Sequence, residues 1–172
     1  MLTEGQNLQE QVPANTRRVL SSKDEVLKAM VEVAGLANRS ITIMTLDLEA
    51  NLYDHPKFLG AVKHLCLSRS YARIRVVITN PRRTLRDSNR FVYLGRRLSS
   101  FIEFRNIHQD YASHHEAFMI ADDSAIVFRS HADRWDAIAD THEPIMSRHY
   151  LNIFDEIWAA SPSSHEFRHL RL

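Results

Sequence analysis

Three β-rich runs, ITIMTL (41–46), RIRVVIT (73–79) and FIEFRNI (101–107), each follow a stretch of helical periodicity. Two more, AFMIA (117–121) and AIVFR (125–129), are separated only by Asp122-Asp123-Ser124. This succession restricts the fold more than any other feature. A helix-length crossover between strands makes them parallel and the connection right-handed, whereas a three-residue link permits only an antiparallel hairpin. ITIMTL is apolar nearly throughout, as a strand covered on both faces must be. The order helix, strand, helix, strand, helix, strand, strand, strand, helix therefore predicts an α/β fold: a mixed sheet flanked by helices on both faces, an α/β/α sandwich.

The helices have their own signals. Ser22-Lys23-Asp24-Glu25 is a capping box, and Val26, Met30, Val33, Ala34 and Ala37 recur at helical spacing, which predicts a helix over 23–38. Pro56 suits a first helical turn, with Asp54 or His55 as cap, ahead of the stripe Phe58, Leu59, Val62, Leu65 and Cys66. Cys66 reads there as a small core residue, not a reactive thiol. A third helix is expected over 84–99, with Phe91, Leu94 and Leu98 inward, and a last one over 147–160, burying Tyr150, Ile153, Phe154, Ile157 and Trp158. HADRWDAIADTHEP (131–144) reads as loop or short helical turns. Residues 1–20 read as a flexible arm and 161–172 as a frayed tail, leaving 21–160 as one domain.

A chain of 172 residues buries roughly 70% of its unfolded surface without staples. One cysteine forms no internal disulfide, no apolar stretch approaches the ~20 residues of a membrane span, and the polar N-terminus has no signal-peptide core. The expected location is cytoplasmic. Net charge is only +1, but the cations are 18 Arg against 4 Lys. Arginine forks match phosphate and carboxylate oxygens bidentately. Between Pro81 and Arg97 stand six arginines and one acid, Asp87. On one continuous helix Arg86, Arg90 and Arg97 fall within roughly 40° of each other. Arg82, Arg83, Arg86 and Arg90 are thus candidate anion-binding residues.

The stretch HHEAFMIADDSAIVFRS (114–130) carries the chemical signal. In open α/β sheets, ligands bind at the carboxyl ends of the parallel strands, and a histidine entering a strand at that rim is a candidate nucleophile or proton shuttle. Other chemistries fit less well. His108, Asp110, His114 and His115 lack the spacing of a zinc site. Ser130, His115 and Asp122 have the residue types of a triad, but no nucleophile elbow surrounds the serine. Four glycines leave little room for a phosphate-cradling loop. No metal or cofactor is expected.

His115-x-Ala117-x-x-x-x-Asp122 resembles a broken His-x-Lys-x-x-x-x-Asp signature of phospholipase D-like phosphodiesterases. In that family a Gly-Ser-x-Asn element begins seven residues beyond the aspartate; here the positions are Arg129-Ser130-His131-Ala132, and only the serine is kept. The likeness covers roughly 22–131 and also resembles uncharacterised proteobacterial domains, some fused to GNAT-type acetyltransferases. It implies the phospholipase D-like α/β/α sandwich, a histidine that becomes covalently phosphorylated, and a lysine that neutralises the phosphate. Alanine at 117 supplies no charge, and losing one preorganised donor costs on the order of 10²–10³ in rate. The family also needs two signatures, so activity from one copy would require a homodimer that joins two His115 side chains.

Two expectations result. One is a catalytically degenerate module that binds nucleic acid or another phosphate-bearing ligand through Arg129, Arg82, Arg83, Arg86 and Arg90, or that serves a protein partner. The other is a homodimeric phosphodiesterase or nuclease with His115 as nucleophile, supported by Asp122 and Ser130. Arg129 either enters the cleft as a phosphate ligand or pairs with Asp122.

Overall fold

The computed structural model describes residues 16–86 and 89–168. The central sheet has seven strands: β1 (Arg18–Leu20), β2 (Ser40–Thr45), β3 (Arg73–Ile78), β4 (Ile102–Asn106), β5 (Ala117–Ala121), β6 (Ala125–Arg129) and β7 (Ala137–Asp140). They lie in the order β1-β7-β6-β5-β2-β3-β4. β2, β3 and β4 are parallel, and β5 turns the direction, pairing antiparallel with both β2 and β6. The expected mixed α/β sheet is present.

The crossover helices form as their caps dictate. In α1 (Lys23–Leu36) the Ser22 hydroxyl accepts from the Glu25 amide and the Glu25 carboxylate accepts back from the Ser22 amide, a complete capping box. α2 (Ala50–Tyr53) is a single turn after β2, and α3 (Pro56–Ser68) starts with proline while His55 Nδ1 accepts from the Lys57 amide at 3.2 Å. His55, of the two candidates, is the cap. Cys66 is buried as its stripe required, and burial pushes its thiol up to about 11, so it stays protonated and inert.

Five expectations are corrected. The helix over 84–99 is two, α4 (Pro81–Arg86) and α5 (Arg90–Arg97), with residues 87 and 88 outside the described residues. Asn89 starts a new helix, its side-chain oxygen accepting from the Phe91 amide at 2.8 Å. Arg86 and Arg97 therefore do not share one helical face. The polar stretch before Pro144 contains β7, which pairs with β6 and with β1. β1 takes Arg18–Leu20 out of the expected arm, whose residues 1–15 lie outside the described residues. Both strands are too short to show a period of two, and they exist because neighbours complete their ladders. The last helix, α6 (Pro144–Ala160), begins three residues early because Pro144 fits its first turn and Glu143 caps it.

The fifth correction is the tail. α7 (His165–Arg168) tucks Phe167 into the core, its ring 5.5 Å from that of Phe104 on edge strand β4. Ser163 bridges to Arg105 on the same strand. This strap covers an edge that would otherwise offer its backbone to another chain. One sheet face packs on α1, α3 and α5, with Phe167; the other packs on α6 through Met44, Val77, Phe118, Ile120, Phe154 and Ile157. No helix among the described residues is long and apolar enough to cross a membrane.

Candidate functional site

Because β5 runs against β2, the start of β5 lies beside the carboxyl end of β2, with Phe118 opposite Met44. His115, two residues ahead of β5, therefore reaches the rim where β2 and β3 end. It is exposed, and its backbone oxygen accepts from the Ala132 amide at 2.7 Å. Its ring stacks on His131 with centroids 4.9 Å apart, and Ser130 Oγ lies 3.3 Å from His131 Nδ1. The rim thus brings His115, Ser130 and His131 together.

Asp122 is elsewhere. It sits in the β5–β6 turn with φ 55, at the other end of β5, about 20 Å away at strand rise. Oδ1 accepts from the amides of Asn38, Arg39 and Ser40 at 3.2, 2.8 and 3.1 Å. The carboxylate clasps the entry of β2 to the hairpin and takes no part at the rim, so no Ser130–His115–Asp122 triad exists.

Arg129 does neither of the two things expected of it. The β5–β6 register sets Arg129 directly opposite Ala117, and opposed residues project on the same face. The cation is therefore beside the position where the signature would carry its lysine. It is buried, however, and Nη1 and Nη2 reach the two Glu49 oxygens at 2.7 and 3.3 Å. Nε donates to the Arg134 carbonyl at 2.8 Å, Nη2 also donates to the Ala132 carbonyl, and the guanidinium lies 4.8 Å from the Trp135 ring centroid. The space between Ala117, Arg129, Met30 and Tyr53 amounts to about 10 Å³, the volume of about one water. Each of the three guanidinium nitrogens already donates a hydrogen bond.

Burial pushes the Glu49 carboxyl up, and Arg129 pulls it back only in part. Glu49 precedes α2, in the β2–α2 connection, where Leu48 has φ 52. Beside it a hollow of about 270 Å³ is lined by Asp47, Asn51, Arg83, Thr84 and Asn89 among others. Arg83 pairs with Asp47 at 2.9 Å, and Arg90 pairs with Asp54 at 2.5 Å. Asp47 Oδ1 is buried and has no hydrogen-bond partner among the described residues. Of the arginines singled out by sequence, Arg129, Arg83 and Arg90 thus hold carboxylates, and Arg82 and Arg86 are exposed on α4. No group of three or more His, Cys, Asp or Glu among the described residues could hold a metal ion.

Sequence reasoning missed Glu49 and Trp135. Neither lies at a spacing that links it to position 129, since both meet the guanidinium only through tertiary structure. The one available signal was a buried-strand arginine, which demands a counter-charge somewhere in the chain.

A family model described as a domain of unknown function (DUF7931) matches residues 22–170. Comparison with curated protein sequences finds no match. Among solved structures the chain is similar to Nuc, a phospholipase D family member from Salmonella typhimurium, at 15% identity and TM-score 0.59, over 88% of this chain and 99% of Nuc. NucT from Helicobacter pylori gives 10% identity and TM-score 0.58, over 88% and 100% of the two chains. TrmBL2, an archaeal chromatin protein described as showing a novel mode of DNA binding, gives 13% identity and TM-score 0.63. There the match covers 91% of this chain and 57% of TrmBL2. The fold is phospholipase D-like.

Proposed function

This chain belongs to the DUF7931 family, and from that premise we propose that it is a non-catalytic phospholipase D-like module that binds a phosphate-bearing ligand, with nucleic acid the leading class. One observation carries the reading. Across from the methyl of Ala117 stands a guanidinium already neutralised by Glu49, so the space around position 117 offers a phosphate neither a lysine nor an unclaimed arginine. An exposed histidine remains, but a phosphoryl group transferred to His115 would find neither a lysine at position 117 nor an unpaired Arg129 to offset its developing charge. The ligand class is supported by the predominance of arginine over lysine and by the DNA binding described for TrmBL2.

The test has two arms. The purified chain incubated with bis(4-nitrophenyl) phosphate is expected to release no nitrophenol above background. Titration of fluorescent oligothymidylate is expected to show binding whose log K falls linearly with log salt. Turnover abolished by His115→Ala would overturn the non-catalytic reading in favour of the homodimeric phosphodiesterase. Absence of binding to DNA, RNA and polyphosphate at low salt would overturn the ligand class.

A further inference from the structure

The net charge of +1 conceals a strong segregation. Between His55 and Ile102 stand eleven cations (Lys57, Lys63, Arg69, Arg73, Arg75, Arg82, Arg83, Arg86, Arg90, Arg96 and Arg97) and one acid, Asp87. That leaves 11 of the 22 cations and 20 of the 21 acids for the rest of the chain. The basic block is α3, β3, α4 and α5, and the sheet order puts it at the β3–β4 end, away from β7.

Some of these cations are internally committed. Arg75 pairs with Asp155 and stacks on Phe154, while Arg96 donates to the Phe167 and Glu166 carbonyls. Others are exposed with no carboxylate partner among the described residues: Lys63, Arg69, Arg73 and Arg97. They collect where α3 and α5 deliver the chain into β3 and β4, two strands locked side by side by the Ile74 amide to the Phe101 carbonyl at 2.8 Å. Charge is not the only unusual feature of this surface. Tyr71 and Tyr93 are 57% and 50% exposed, and both lie here. The Arg97 guanidinium stands 6.0 Å from the Tyr93 ring centroid.

We infer that this α3–α5 flank, not the histidine rim, is a docking surface for single-stranded nucleic acid. The inference rests on the proposed ligand class and locates it. Exposed tyrosines beside uncompensated arginines are what a single strand needs, because its bases stack on rings while cations follow the phosphates. A duplex keeps its bases stacked on each other and has no use for the rings. α3 is about 20 Å long, which gives the strand a track along the helix pair. The acidic remainder of the molecule repels a polyanion and so orients it toward this end.

The experiment is oligothymidylate titration of the full chain at several salt concentrations. Arg69→Ala combined with Arg97→Ala is expected to lower affinity at least tenfold and to reduce the salt slope by about 0.7 for each phosphate no longer neutralised. Tyr93→Ala is expected to weaken binding about tenfold at unchanged salt slope. Arg148→Ala removes one charge on α6 and is expected to leave affinity unchanged. Wild-type affinity in the flank variants would overturn this location and leave the proposed function standing. Equal weakening by Arg148→Ala would reduce the effect to net charge and overturn the site, and tighter binding of a duplex, indifferent to Tyr93→Ala, would overturn the single-strand assignment. A wild-type chain that binds no nucleic acid at all would fail the proposed function itself.

Discussion

Arg129 is a charge held in the protein interior. A buried guanidinium is tolerated only when a counter-charge and hydrogen bonds replace its water. Glu49, the Ala132 and Arg134 carbonyls and the Trp135 ring supply them. Removing one partner leaves the other charged in apolar surroundings. Glu49→Ala is therefore expected to destabilise the fold by about 3 kcal/mol in urea unfolding, and adding Arg129→Met is expected to restore most of the loss. A double variant no more stable than Glu49→Ala would show the pair to be a passive contact. The pH dependence has a definite sign. Burial raises the Glu49 carboxyl above its ordinary value, so the native state keeps this proton after the unfolded chain has released it. Glu49 thus adds a cost that develops as pH rises from the ordinary carboxylate value through its raised one, and that is absent below both. Glu49→Gln is expected to flatten this segment of the stability–pH curve.

At the scale of elements, what could be read from the sequence was whatever generates local periodicity. The capping box of α1, the stripe of α3 and the three parallel strands are each specified by residues within one run, and each formed as expected. β1 and β7 were hidden because three or four residues carry no period; pairing with neighbours creates them. The split between α4 and α5 was visible in principle, since Ser88-Asn89 is a sound cap sequence, but the arginines on either side share good helix propensity and masked the break. The histidine at the rim was legible because the topology fixes where β5 starts, whereas the identity of Arg129's partner was not. The C-terminal strap was hidden too, and it has a measurable consequence. Phe167→Ala removes a fully buried ring from between α5 and β4, at an expected cost of about 3 kcal/mol in urea unfolding. Because it also unfastens the cover over an edge strand, light scattering is expected to report aggregation before the unfolding midpoint. A destabilised variant that scatters no more light than the wild type would assign the strap to packing alone.

At the scale of the whole molecule, the sheet sets the basic block apart from the acids around β7, Asp133, Asp136, Asp140 and Glu143. From β3 to β7 there are four strand spacings, or about 19 Å, which exceeds the Debye length of about 8 Å at physiological ionic strength. The basic flank and this acidic cluster therefore do not cancel each other for anything that approaches one side. A sphere of charge +1 would pass a cation exchanger near neutral pH almost unretarded. This chain is expected to be retained by a cation exchanger through its α3–α5 flank and, at the same pH and low salt, by an anion exchanger through its β6–β7 end. Arg69→Ala with Arg97→Ala is expected to shorten retention on the first column far more than the loss of two charges shifts it elsewhere, and to leave the second nearly unchanged or slightly stronger. Passage through both columns would mean that the two charged ends lie close enough to neutralise each other, contrary to the strand order. Dual retention would instead show that the phospholipase D-like sheet holds the two charged regions far enough apart for each to meet its own resin.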